Sequence, residues 1–284
     1  MIASVHRRSG WRSMSDTITI RELRTMREIN ATTELQKAVW GMHDVEVSSP
    51  HTLRAIVHAG GAVIGAEAEG RLVGFCFGMA AWRDGELWLW SHMAGVRPEY
   101  QGRGIGLNLK LAQREWALGK GFRRMAWTFD PLQSGNANFN FNRLGTTARH
   151  YSINHYGDMQ DGINAGMASD RLEAQWLLDS PRVARLADEG APSNFAAPAC
   201  AIKLVYVDEA GELRREQPGS FTEARYGIEI PVDIAALKRT ELARARTWQL
   251  YVRDAMTSLL AAGYIVSGFQ RQGNMAWYSL SREA

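Results

Sequence analysis

The chain has 284 residues, of which 45% are hydrophobic and 22% charged; that balance excludes extensive disorder and fits a globular enzyme of one large domain, or a domain with a smaller partner. The formal net charge is +3, and three of the 33 basic residues, Arg7, Arg8 and Arg12, sit in an N-terminal stretch with no acid. Basic and acidic residues are equal in number over the rest of the chain, which leaves no global excess of positive charge for nucleic acid.

No apolar run approaches the ~18 residues needed to span a bilayer, and the arginines near the start have no apolar segment behind them, so that stretch does not read as a secretory signal. Residues 1–15 read as a flexible tail, and either Met1 or Met14 could be the start. Of the two cysteines, Cys200 is isolated and Cys76 lies in the apolar run LVGFCFGMA. Cys76 is expected to be a packed thiol in a reducing, cytoplasmic compartment. No CxxC or His/Cys cluster suggests a metal.

Residues 17–23 alternate as a strand, and 25–39 carry helical spacing through Met26, Ile29, Leu35 and Val39. A loop over 41–50 leads to a short helix over 51–59. Three strands are expected over 62–68, 71–82 and 86–96. The links Glu69-Gly70 and Arg83-Asp84-Gly85 predict antiparallel hairpins, and the apolar runs predict burial on both faces. Residues 105–118 form a helical stripe through Ile105, Leu109, Ala112 and Trp116, ended by Gly119 and Gly121. A strand over 123–129 stops at Asp130-Pro131, and a helix over 134–144 closes at Gly145. Strands are expected over 149–156 and 171–178. Residues 179–199 read as a connection. Beyond it, strands over 201–207 and 224–230 precede one long helix over 233–262, with Leu242, Ala245, Trp248, Val252, Met256 and Leu259 on one face, and a pair of strands over 264–270 and 275–280.

The segment with the clearest chemistry is V-R-P-E-Y-Q-G-R-G-I-G between the third of those strands and the next helix. Glycines at 102, 104 and 106 let consecutive backbone N–H groups face outward with no Cβ in the way. They do so at a helix N-terminus, whose open donors and positive dipole end suit a diphosphate. A dinucleotide turn competes, with Asp130 after the next strand as a ribose partner. Its G-x-G-x-x-G fingerprint would place the third glycine at Leu107 or Leu109, and antiparallel hairpins precede the turn.

Gln101-Gly102-Arg103-Gly104-Ile105-Gly106 resembles the Q-x-x-G-x-G acyl-CoA-binding motif of the GNAT acyltransferase superfamily, and the element order over residues 17–178 looks like that fold. The resemblance implies an α/β (α+β) protein with a mixed, mainly antiparallel central sheet flanked by helices. The organisation expected is a tail over 1–15, an acyltransferase domain over 16–178, a connection over 179–199 and a C-terminal α/β extension over 200–284. It implies that the backbone of Met93, Ala94 and Val96 pairs with the pantetheine arm, and that the amides from Gln101 through Gly102, Arg103, Gly104, Ile105 and Gly106 to Leu107 hold the pyrophosphate. A second superfamily pattern, N-x-x-A-x-x-x-Y-x-x-x-G, falls on Ser134, Ala137, Phe141 and Gly145, so the tyrosine that often protonates the leaving thiolate is here Phe141. The segments FDPLQSGNANFNFNRLG, HYSINHYGDMQDGINAG and SDR resemble a subgroup linked to N-acylation and N-succinylation of amino acids.

The implied reaction moves an acetyl or other short acyl group, succinyl included, from acyl-CoA to a primary amine, that of an amino acid among them, with no metal. His92 is the first candidate for general base, since its ordinary pKa suits proton transfer near neutrality. Glu86, at the start of the same strand, is the second, through a water chain. Tyr151 and Tyr156 are the candidate acids, beside catalysis with no dedicated acid, since a thiolate is a tolerable leaving group near neutrality. Arg143, Arg149 and Arg171, with Asn140, Asn142 and Asn154, are candidates to read a substrate carboxylate, because a guanidinium meets one in bidentate fashion. Each has a structural reading beside it: a packed strand residue for His92 and the tyrosines, a solvated turn residue for Glu86, pairs with Asp158, Asp161 or Asp170 for the arginines. Trp82, Trp88, Trp90 and Trp127 read as core, with one or two of them able to line an apolar acceptor pocket instead. The partner expected is a small-molecule amine; the C-terminal extension is expected either to cover the acceptor site or to build a homodimer, and nucleic acid and membrane are not expected. Loss of the tyrosine at Phe141 keeps open a CoA-binding sensor without catalysis.

Overall fold

A computed structural model of the chain describes residues 18–157, 166–189 and 202–282. The expected tail, Cys200, Asp158 and Asp161 lie outside the described residues. The fold is of the expected mixed α/β class, with mainly antiparallel strands and helices packed on them. Two compact units divide it, Met1–Phe122 and Arg123–Ala284.

In the first unit, β1 (Thr19–Glu22), β2 (Ala62–Ala68), β3 (Arg71–Arg83) and β4 (Glu86–Val96) pair in chain order, every pair antiparallel. The hairpins turn at Gly70 (φ 75°) and Gly85 (φ 79°), where a Cβ would be strained. Helices α1 (Met26–Trp40) and α2 (Pro50–His58) share a core with the sheet through Leu23, Ile29, Leu35, Leu53, Phe75 and Phe77. Helix α1 starts in a capping box: Glu28 N–H donates to Thr25 Oγ1, and the Glu28 carboxylate accepts from Thr25 N–H. Helix α3 (Ile105–Gly119) packs in a second core with Ile64, Val73 and Cys76. Burial on both faces holds for β2 and most of β3. It fails in β4, where the side chains from His92 to Val96 are half-exposed or exposed. A β-bulge at His92 shifts the alternation there: His92 and Ala94 are exposed, while Met93 and Val96, half-buried, pack against the edges of the two cores.

In the second unit the strand order is β5-β7-β6-β11-β12-β10-β8-β9, with β5 (Arg124–Phe129), β6 (Thr147–Ser152), β7 (Arg171–Leu177), β8 (Ile202–Val207), β9 (Leu213–Arg215), β10 (Arg225–Ile230), β11 (Tyr264–Gln272) and β12 (Met275–Arg282). All of these pairs are antiparallel except β10 with β8. Strand β11 joins β6 at Val266↔Ala148, so strands on either side of residues 179–199 share one sheet.

Three local readings change. The helix over 134–144 is α4 (Ser134–Asn138) followed by a π-helical turn over Phe139–Leu144, closed by Gly145 at φ 76°. The strand expected over 149–156 ends at Ser152, because Asn154 takes φ 47° and turns the chain. The long helix over 233–262 is two, α6 (Ile234–Thr240) and α7 (Leu242–Ala261), broken at Glu241, whose backbone sits at φ −145°, ψ 65°. The expected face of α7 is buried from Ala245 through Leu259, while Leu242 is exposed. Residues Pro181–Glu189 of the expected connection form a helix, α5.

Candidate acyl-donor site

After β4 the chain makes a 3₁₀ turn at Pro98–Tyr100, tied back by Arg97, whose N–H donates to Val73 O and whose Nε donates to Leu72 O. Gly102 (φ 76°) and Gly104 (φ 78°) then take the left-handed conformation, and a Cβ at either would meet nothing within 4 Å. Two of the three glycines are thus required by backbone shape. Gly106 is helical, and a Cβ there would reach only Val96 Cγ2, at 4.0 Å. Gly104 is the N-cap of α3 and provides no side-chain cap; the first helical bond runs from Asn108 N–H to Gly104 O. The amides of Ile105, Gly106 and Leu107 therefore open α3 with no intrahelical acceptor, facing outward beside an uncrowded turn. That cradle fits a diphosphate. Gln101 Nε2 donates to Val96 O at 3.0 Å, so its side chain fastens the turn to β4. Arg103 Nη2 donates to Glu99 O, and its guanidinium covers the Tyr100 ring at 4.9 Å.

The β4 bulge lies just before. Gly78 pairs with Ser91 and Phe77 with Met93, leaving His92 with no partner on β3. The His92 ring is exposed, rests 5.4 Å from the Phe77 ring, and has its pKa held below the ordinary value by local desolvation. Met93, Ala94 and Val96 come after it along β4. Glu86 is six residues earlier on the same strand, on the order of 20 Å away at the usual strand rise, so the structure does not bring the two base candidates together.

A buried polar cluster, which the sequence did not signal, lies under the bulge. Lys110 of α3 is 3% exposed. Its Nζ donates to Ser91 Oγ at 2.9 Å and to Gln113 Oε1 at 2.8 Å, and Ser91 Oγ donates to Gln113 Oε1 at 2.9 Å. Burial pushes the Lys110 pKa down to about 7. Burial likewise pushes the Cys76 thiol up to about 12, which suits the packed thiol expected and not a nucleophile. The only available signal was a lysine and a glutamine three apart beside the apolar stripe of a helix, a pattern that usually means a solvated edge.

In the second unit, Tyr151, Asn154 and Arg171 meet at Asp170. This carboxylate, 1% exposed, accepts from Tyr151 Oη at 2.7 Å, from Asn154 N–H at 3.0 Å, and from Arg253 Nε and Nη2 at 2.8 and 3.0 Å. Arg253, absent from the sequence candidates, forms the bidentate pair. Arg171 donates to the Asp170 backbone oxygen at 2.8 Å and lies 5.2 Å from the Tyr156 ring. Burial, with the negative charge of Asp170, raises the Tyr151 pKa well above that of a free phenol. Tyr156 is exposed, with its Oη 3.2 Å from Thr128 Oγ1. Arg143 is exposed and Arg149 half-buried. Asn140 Oδ1 accepts from Trp127 Nε1, and Asn142 Nδ2 donates to Asn138 Oδ1. Phe141 is fully buried, edge-on to Phe129 and Tyr278. Among the described residues no group of three or more His, Cys, Asp or Glu is arranged to hold a metal ion, and no helix is long and apolar enough to cross a membrane.

Residues 23–145 match the model of the acetyltransferase (GNAT) family, a span that contains the glycine turn, the bulge and the buried lysine. No curated protein matches the chain. Among solved structures, the chain is similar to yncA, a putative acetyltransferase from Salmonella typhimurium with its cofactor acetyl-CoA, at 22% identity over 57% of this chain and 95% of that one, with a TM-score of 0.46. It is also similar to the ribosomal-protein-S18-alanine N-acetyltransferase from Escherichia coli, at 13% identity over 58% and 96% of the two chains and a TM-score of 0.46. An aminoglycoside acetyltransferase from an uncultured soil metagenomic sample is 18% identical over 45% and 87%, with a TM-score of 0.40.

Proposed function

We propose that this chain is an acyl-CoA-dependent N-acyltransferase whose donor site is the glycine turn opening α3. The observation that carries the reading is the pair of left-handed glycines, 102 and 104, leading into a helix with no side chain capping its first amides. The amides from Gly102 to Leu107 take the pyrophosphate, Gln101 keeps the turn against β4, and the backbone of Met93, Ala94 and Val96 receives the pantetheine arm. A bulge amide at His92–Met93 donates to the thioester carbonyl oxygen, where negative charge builds as the amine attacks. His92 accepts the proton lost by the attacking nitrogen; its lowered pKa keeps the imidazole neutral at pH 7 and ready to do so. The C–S bond then breaks, and the sulfur takes its proton from Tyr156 or from solvent. Tyr156 is preferred over Tyr151, whose hydroxyl is committed to Asp170.

The acyl group proposed is acetyl, with succinyl as the alternative, and the acceptor is the amine of a small molecule. An amino-acid acceptor accords with the arginines 143, 149 and 171 and with Asn154. A cytoplasmic, homodimeric protein is part of the proposal. A second reading, a CoA-binding sensor, is favoured by one observation: Phe141, at the usual position of the acid, is buried and has no hydroxyl. Calorimetry with acetyl-CoA, followed by thiol-release assays against a panel of amino acids, tests both. Binding with turnover is expected. Binding without turnover on any acceptor turns the assignment to the sensor, and no binding of CoA or its thioesters removes both.

A further inference from the structure

We infer that Lys110 is a positioning residue that sets the β4 bulge for the acyl carbonyl, an inference that rests on the acyl-CoA reading above. An ammonium held in a core between a helix and a sheet destabilises the fold, and an apolar residue of the same length would fill the space more favourably. Stability therefore does not explain this side chain, and its contacts point to what does. Nζ holds Ser91 Oγ at 2.9 Å and Gln113 Oε1 at 2.8 Å, and Ser91 closes the triangle onto Gln113. Ser91 is the last residue in register before the bulge, and His92 is the residue left over. The opposite strand is shaped for this cluster: a Cβ at Gly78, the partner of Ser91, would lie 3.1 Å from Gln113 Nε2, from Leu89 Cγ and from Trp90 O. Gln113 Nε2 is itself buried with no hydrogen-bond partner among the described residues, so the amide is oriented by what its oxygen accepts.

The same helix therefore makes two kinds of connection. Its first turn offers amides to the diphosphate, and five residues on, about 7.5 Å along the axis, Lys110 grips the strand that meets the thioester. A rigid α3 thus fixes the spacing between the diphosphate cradle and the carbonyl-binding amide. Lys110 touches no reacting atom; it acts through Ser91 and the bulge.

The test needs no acceptor. Acetyl-CoA labelled with ¹³C at the thioester carbonyl is bound to the full chain, its affinity is measured by calorimetry, and its carbonyl stretch by isotope-edited infrared. In the unaltered protein the bound band should shift to lower frequency, as a polarised carbonyl does. In Lys110→Met the affinity should stay within about threefold while at least half of that shift disappears, and Ser91→Ala should reproduce the effect should the lysine variant fail to fold. An unchanged shift in both variants overturns the inference, as does parallel loss of affinity and shift, which is what a purely structural residue would give. A wild-type protein that binds acetyl-CoA with no shift overturns it too. Absence of acetyl-CoA binding to the unaltered protein strikes the donor-site reading itself, and the two failures are thereby told apart.

Discussion

Tyr151 Oη donates to Asp170 Oδ2 at 2.7 Å, and this bond separates the two phenols that could serve as proton donors. A hydroxyl held by a carboxylate, with its pKa raised well above that of a free phenol by burial and by that neighbour, gives up its proton poorly. Tyr151→Phe should therefore act on stability, by about 1–3 kcal/mol for a buried carboxylate losing a donor, with catalysis reduced only slightly. Tyr156→Phe should leave stability unchanged and lower kcat by roughly a hundredfold if the phenol is the acid. Denaturation curves and kcat for the two variants check the contrast.

The bidentate partner of Asp170 carries more. Arg253→Met leaves a carboxylate that is 1% exposed without its cation. The expected loss is about 3–5 kcal/mol, read as a lower urea midpoint, with partial recovery in Arg253→Met combined with Asp170→Asn.

Lys110 predicts a pH signature in stability. Its ordinary pKa of 10.5 falls to about 7 in the fold, so unfolding takes up a proton between those values and native stability rises as pH climbs through that window. Below about pH 7 the full penalty of the buried ammonium applies. Lys110→Met should therefore be more stable than the parent by on the order of 3 kcal/mol at pH 6, with the gap shrinking by pH 9. Chemical denaturation at the two pH values measures it; a gap independent of pH would show that the ammonium is not desolvated.

The three glycines of the turn should separate. Gly104→Ala forces a Cβ into a left-handed conformation at φ 78°, a strain of about 1–2 kcal/mol, and should weaken acetyl-CoA binding about tenfold or more. Gly102→Ala should behave alike. Gly106→Ala places its methyl at ordinary contact distance from Val96 and should fold normally. Calorimetric affinities rank the three.

His92 should leave its mark on the acid limb of the pH–rate profile. Because desolvation lowers its pKa, the neutral imidazole persists further into acid than that of a free histidine, and the limb in kcat/KM should fall below pH 6.5. His92→Ala should lower the rate and abolish that limb. A limb that survives the substitution assigns the base to another group.

What the sequence could convey was local. The hairpins at Gly70 and Gly85, the α1 stripe and the glycine turn each declare themselves within about fifteen residues, through period and turn chemistry. The contacts that matter most to the candidate site are remote in sequence. Lys110 meets Ser91 across 19 residues and Arg253 meets Asp170 across 83, and nothing in a helical spacing says which charged side chain turns inward. The break at Glu241 lies in a run with no glycine or proline to announce it. Strand β9, three residues long, is too short for any alternation to show.

The register of Val266 against Ala148 has a consequence for how the protein can be dissected. Were residues 200–284 removed, β6 would keep β7 but lose β11, and its other edge would present unpaired backbone donors and acceptors to solvent. Such a fragment would have a ready template for pairing with other chains, and it should precipitate or form β-linked oligomers. The C-terminal strands thus act as a sheath on that margin of the sheet, protecting the rest of the protein from self-association in addition to any part they play in chemistry.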